Sequence, residues 1–269
     1  MPEMLTISVD IKTPKLIFTK ITIKMNIFAV RFTMTKKIEI INKLLIEHFG
    51  VPSKAKKLPD PLDTIIGTIL SQNTNDNNSY KAYRNLKDNF KTWDELTILK
   101  PSQIEKYIKV AGLGKQKSKA IYELLKNLKK TQGKVSLRHI INASNEDILN
   151  ELTSHKGIGV KTASCVLLFS LDRNVCPVDT HVHRTLNRIG LVKTSSPEKT
   201  FFKLLNKLPD GTAHSFHTNL IRLGREICKA QKPICSVCPL VKVCKYEHKN
   251  FEMVKSKRPN NFMLLDNLS

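Results

Sequence analysis

Acidic residues are scarce in this 269-residue chain: 23 Asp and Glu stand against 45 Lys and Arg, and none falls between Asp10 and Glu39. The formal net charge of +22 makes a polyanion the leading partner. Aromatic residues are also few, with a single Trp, and charge breaks every apolar run before it is long enough to span a bilayer, which excludes a helical membrane-spanning chain. A hydrophobic content of 41% excludes disorder throughout and supports one or two domains with real cores. Basic charge alone does not choose among ribosomal, lipid-surface and nucleic-acid binders, so what the charge surrounds has to decide.

The six cysteines are not spread along a short chain as in a secreted disulfide scaffold, so a reducing, intracellular setting is expected. Four crowd together as Cys228-x6-Cys235-x2-Cys238-x5-Cys244, while Cys165 and Cys176 stand apart and read as buried apolar residues. Four thiolates can hold Zn²⁺ tetrahedrally or a 4Fe-4S cube. The histidines make a weaker metal site: His181 and His183 face different ways on one helix, and His214 and His217 lack a carboxylate at metalloprotease spacing.

Residues 1–35 form a Thr-, Ile- and Lys-rich extension, expected to be poorly ordered. From Lys36 onward the apolar period is helical. Leu62, Ile65, Ile66, Ile69 and Leu70 follow an Asp60-Pro61 start signal, Ile104, Ile108 and Ala111 make one face ending at Gly112, and Ala120, Ile121, Leu124, Leu125 and Leu128 make another. Further helices are expected near 145–153, 160–170, 180–189, 197–207 and 213–228, so the fold class is all-α. Residues 100–134 carry ten lysines against Glu105 and Glu123, a solvated face or a track for phosphates.

Chemistry gathers at Gly157-Ile158-Gly159-Val160-Lys161-Thr162-Ala163, between two helical stretches. Two glycines one residue apart allow a sharp turn, and the following helix start offers backbone N–H groups to an anion. Such a hairpin can hold a DNA phosphate without reading sequence, although a plain helix connector uses the same residues. Gly112-Leu113-Gly114 competes with it, but only the first hairpin is followed by Val178-Asp179-Thr180-His181. Asp179 is placed to cap the helix of Val182, Leu186 and Ile189. Lys161 and Asp179 thus sit on adjoining helix starts, where an amine and a carboxylate could do covalent chemistry.

Taken in order, the 157–163 hairpin, the 178–181 string, Gly224-Arg225-Glu226-Ile227-Cys228 and the four-cysteine spacing resemble the endonuclease III family of helix-hairpin-helix DNA glycosylases over residues of about 36–245. The resemblance implies two helical lobes flanking a DNA cleft. The central lobe would span 57–170, the second lobe would join 36–56 to 171–245, and 246–269 would be a flexible basic tail. It also implies one 4Fe-4S cluster on Cys228, Cys235, Cys238 and Cys244, with Lys229, Lys232, Lys242 and Lys245 around it for phosphates. Catalysis would fall to Lys161 as the Schiff-base nucleophile and to Asp179 as its acid-base or electrostatic support. Gly157, Ile158, Gly159, Lys115 and Lys119 would touch DNA, and either Gln72 or Asn73 would fill the gap left by an extruded base.

The activity implied is removal of damaged, oxidised pyrimidines from duplex DNA, with β-elimination at the resulting abasic site, by a monomer. Adenine and thymine mismatch glycosylases of the superfamily lack a lysine at the position of Lys161. The family often has Leu-Pro before the hairpin glycines, where this chain has His155-Lys156, so hairpin rigidity and local charge are expected to differ. Two other readings fit part of the pattern: a non-catalytic helix-hairpin-helix DNA binder with a structural metal, and a monofunctional mismatch glycosylase.

Overall fold

The computed structural model describes residues 34–252 and 263–268. The basic extension, except for its last two residues, and the tail cations Lys255, Lys257 and Arg258 lie outside the described residues. Every regular element among the described residues is helical, as the periodicity predicts, and no helix there is long and apolar enough to cross a membrane.

Helix α1 spans 34–49, so Met34 and Thr35 belong to the fold rather than to the extension. Its Ile38, Ile41 and Leu45 are buried, and Thr35 Oγ1 donates to Lys207 O at 3.0 Å. Helix α2, Pro61–Leu70, starts where the Asp-Pro signal places it: the Asp60 side chain accepts from Leu62 N at 2.9 Å, and proline occupies the first turn, where no N–H is needed. Nine of its ten residues are buried, which makes α2 the axis of the core. At roughly 1.5–3 kcal/mol for each buried Leu or Ile side chain, its five large aliphatics hold the packing of the helices at Asp76–Asn89, Gly114–Gln132 and Val160–Cys165 against it.

Helix α3, Asp76–Asn89, is capped by Asn75 and was not anticipated. It is mostly polar and buries only Ser79, Ala82, Tyr83 and Leu86, so its apolar stripe is too thin to register as a period. After α4, Pro101–Ile108, a short turn ends at Gly112 with φ of 68°. Helix α5, Gly114–Gln132, then stops at Gly133 in the left-handed region. Helix α6, Asn145–Ser154, leads through the glycine hairpin into α7, Val160–Cys165, which widens into i→i+5 bonding through Ser170, with Leu171 N on Val166 O at 3.1 Å. Helices α8 (Thr180–Ile189), α9 (Pro197–Leu204) and α10 (Ala213–Glu226) complete the set, α8 packing along α10.

The expectation of a flexible tail needs correction at residues 263–268, the part of it that is packed against the core. Residues Leu264–Asn267 form a helical turn packed against α2 and α3, and its Leu264 and the following Leu268 are 2% and 5% exposed. Gly67 of α2 makes the seat: a Cβ there would lie 2.7 Å from Leu268 Cδ1. Tyr83 Oη adds a hydrogen bond to Leu268 O at 3.2 Å. Two leucines four residues apart and a glycine opposite give this segment the same driving force as any core element.

One buried cation organises the loop that follows α2. Lys117 is 1% exposed, and its Nζ donates to Leu70 O and to Ala111 O, both at 2.8 Å. Burial pushes its ammonium down to about 8. The lysine thereby caps the end of α2 and the turn before α5 with one group. A Lys117→Met variant leaves both carbonyls unpaired and is expected to lose about 2 kcal/mol in denaturant unfolding; stability equal to the parent would show that the two hydrogen bonds are dispensable.

Candidate active site

A cleft of about 540 Å³ opens where α7, α8 and α10 meet the 71–76 loop. Lys161 and Asp179 both line it and both are half-buried. Lys161 arrives there because Gly157, at φ of 89°, turns the chain in a conformation that L side chains rarely adopt, and because Ala120 stands 3.0 Å from where a Cβ would be. Gly159 precedes the first turn of α7 and faces open space, which leaves room for an anion close to the backbone. Ile158 lies between the two glycines. Its side chain is 4% exposed and its N–H is used on His155 O at 3.1 Å, so it anchors the hairpin from inside.

Asp179 is the N-cap of α8, as its position predicts, accepting from Val182 N at 2.8 Å through Oδ1. The segment that presents it is fixed from behind by His217 of α10, whose Nδ1 donates to Pro177 O at 2.8 Å. Burial pushes His217 down to about 4, with Asp179 opposing the shift and Lys161 reinforcing it. The same pair acts on Cys165: burial raises its thiol, Lys161 works against that and Asp179 adds to it. The amine and the carboxylate therefore share one electrostatic neighbourhood. Phe169 stacks edge-on against both His214 and His217, at 5.7 and 5.6 Å.

Gln72 and Asn73 line the same cleft. Gln72 is half-buried, whereas Asn73 is exposed with φ of 51°, a left-handed geometry that asparagine tolerates better than most residues. The loop's far end is tied down by Asp76, which takes Arg225 Nη1 at 2.8 Å and Nη2 at 3.4 Å. Lys115 and Lys119 are exposed on the first turns of α5.

The four clustered thiols are free of disulfides and line one cavity beyond the far end of α8. No carboxylate lines that cavity, and Arg188 Nη1 and Tyr246 N approach Cys228 and Cys244 Sγ at 3.6 and 3.5 Å. Burial pushes the Cys238 thiol up to about 11 and raises Cys228. Among the described residues no three His, Cys, Asp or Glu side chains close on a single ion. Helix α8 grips this loop with two arginines: Arg184 reaches Gly224 O and Cys228 O, and Arg188 reaches Lys229 O and Ala230 O.

Residues 66–210 match the HhH-GPD superfamily base excision DNA repair proteins. The chain belongs to that superfamily. It is a base excision repair DNA glycosylase. Endonuclease III of Thermotoga maritima is 35% identical over 210 residues, 78% of this chain and 92% of the relative. Endonuclease III of Sulfolobus acidocaldarius is 34% identical over 188 residues, 68% and 81% of the two chains. A solved non-covalent endonuclease III–DNA complex superposes with a TM-score of 0.67 at 24% identity, over 78% of this chain and 95% of that one, a likeness of fold.

Three participants in the cleft of this HhH-GPD protein have roles that the sequence did not assign: His217, the Asp76–Arg225 pair, and the 263–266 segment that supplies part of the wall. His217 is buried neutral, so its folded value lies below its unfolded one. The stability it contributes is present above about pH 6.5 and is lost as pH falls toward 4. Replacing it with Gln is expected to flatten unfolding stability across that window, measured by denaturant titration at several pH values; an unchanged slope would assign the pH dependence elsewhere.

Proposed function

We propose that the chain is a bifunctional glycosylase and abasic-site lyase that removes oxidised pyrimidines from duplex DNA, acting as a monomer. The observation that carries this reading is that Lys161 and Asp179, on two different helices, line one cleft together with the loop that bears Asn73. The protein would work inside the cell, where the clustered thiols stay reduced. Its lobes would be 57–170 on one side and 36–56 with 171–245 on the other, with the duplex between them.

In this reading the basic faces and the Gly157–Gly159 hairpin hold phosphates while the damaged nucleotide leaves the stack. Asn73, the more exposed of the two candidate residues, fills the gap. The Lys161 amine attacks C1′ of the sugar, the C–N glycosidic bond breaks, and the electron pair departs with the base. Oδ1 of Asp179 is committed to its helix cap, so Oδ2 takes the proton released from the lysine nitrogen or stabilises the cationic sugar. The C1′–O4′ bond of the resulting aminal then breaks, O4′ takes up a proton and the nitrogen lone pair closes the Schiff base; loss of the sugar 2′ proton from it expels the 3′ phosphate and breaks the strand.

The donor set fits a thiolate-ligated group: four free thiols, one shared cavity, no competing carboxylate, and N–H donors directed at two of the sulfurs. Cys228, Cys235, Cys238 and Cys244 would hold a 4Fe-4S cluster, which when bound orders the loop carrying Lys229, Lys232, Lys242 and Lys245.

Borohydride trapping on a duplex with a thymine glycol or abasic site tests the chemistry. Wild-type protein should form a covalent adduct, and Lys161→Gln should bind yet lose at least about two orders of magnitude in rate. Equal trapping by Lys161→Ala would remove the lysine from its role. Elemental analysis should find about four iron atoms per chain, and Cys238→Ser should lose iron and visible absorption together; zinc in place of iron would overturn the cluster.

A further inference from the structure

The cleft has a wall that the helix-hairpin-helix chemistry does not use. Met263, Leu264, Leu265 and Asp266 line it beside Lys161 and Asp179, although they lie more than eighty residues beyond either in the chain. The segment is seated rather than draped. Leu264 and Leu268 are buried, Gly67 makes room for Leu268, and Asn267 Nδ2 closes the turn on Met263 O at 2.6 Å. Arg225 Nη1, already paired with Asp76 at the base of the 71–76 loop, donates to Met263 Sδ at 3.6 Å. His214 Nε2 meets Asp266 Oδ1 at 2.8 Å, with the two side chains only 12% and 10% exposed.

Resting on the proposed function above, we infer that residues 263–266 form the wall of the pocket that receives the extruded base, and that Asp266 reads its ring N–H edge. Three observations combine. A base released by attack of Lys161 on the adjoining sugar carbon must occupy the cleft that Lys161 lines, so the segment is within reach of it. With the segment in place the cleft still measures about 540 Å³, inside the range of roughly 300–1,000 Å³ common for small-molecule sites, so the segment lines the space without plugging it. Lastly, the chemistry of the wall suits a nucleobase. Met263 and Leu265 offer soft apolar surface for a ring face, and Asp266 is an acceptor whose orientation is fixed by the imidazole behind it.

A carboxylate selects for N–H donors. The substrate class is therefore a base that keeps a donor on its pairing edge, such as the N3–H of a saturated or oxidised uracil- or thymine-type ring. A ring presenting only acceptors there would leave Asp266 unmatched, at the cost of a desolvated charge. His214 acts through Asp266 and is a positioning residue.

The test compares two single-turnover reactions on otherwise identical duplexes: release of 5,6-dihydrouracil, and cleavage at a preformed abasic site, where no base occupies the pocket. Three variants are used: Asp266→Asn, which keeps the shape; Gly67→Ala, which crowds the Leu268 seat; and Leu265→Ala, which removes apolar surface from the wall. Base release is expected to fall about 10- to 100-fold in each, while abasic-site cleavage falls far less. His214→Gln should lie between Asp266→Asn and wild type in base release. Wild-type base release by Asp266→Asn and by Leu265→Ala overturns the inference, and so does a parallel loss in both reactions by Asp266→Asn with an unchanged unfolding midpoint. If wild-type protein neither releases the base nor cleaves the abasic site, the proposed function fails and takes this inference with it; intact wild-type reactions with insensitive variants sink the inference alone.

Discussion

The approach of α8 to α10 at Gly224 is the contact on which the rest depends. A Cβ at that glycine would lie 2.7 Å from His181 Cβ, so the two helices meet with no side chain between them. That closeness lets Arg184 reach across to Gly224 O and Cys228 O, and it sets α10 where its other residues are needed. Asn219 and Arg222 cap the end of α1 through Gly50 O and Phe49 O. His217 holds the approach to Asp179, Arg225 holds the 71–76 loop, and His214 holds the 263–268 segment. One helix thus holds three of the segments that line the cleft as well as the end of α1, each through a polar bond, and leaving a buried partner unpaired is costly.

The scarcity of acid reads differently once the partners of the acids are known. Asp60 and Asp179 cap helices, and Asp63 accepts from Trp93 Nε1 and Lys87. Asp76 binds Arg225, Asp94 binds Lys129, and Asp266 binds His214. Several of the few carboxylates are therefore engaged in caps, loop ties and internal pairs. The surplus of Lys and Arg on exposed faces then acts as a nearly unopposed field toward a polyanion, a long-range effect that raises encounter rates without selecting a base.

Much of the scaffold could be read from the residue order because the signals were local. Asp60-Pro61, the Asp179 cap and the stop at Gly112 are each decided within a turn of the chain, and the structure places all three where the spacing predicts. The paired location of Lys161 and Asp179 followed from motif order, since both sit at starts of helices that bound one junction. What was missed depends on long-range closure. Lys117 looks like one more surface lysine among ten, and only the meeting of α2 with the turn before α5 buries it. Helix α3 has too few apolar residues to announce itself, and its stability comes from Leu86 and Tyr83 finding the core. The 263–268 segment reads as a tail because two leucines four apart carry no signal until Gly67 is seen opposite them.

Helix α8 has Asp179 at its first end and the grip of Arg184 and Arg188 on the thiol loop toward its other. Ten residues make a rod of about 15 Å, stiff over that length. A tilt of about 4° at the sulfur end would swing the carboxylate by about 1 Å, a misplacement large enough to slow a reaction about a hundredfold. The thiol loop therefore serves as the distant mount of a lever whose tip is the Asp179 carboxylate. Damage confined to that mount would register as a fault in alignment, in a protein that still folds and still finds its polyanion.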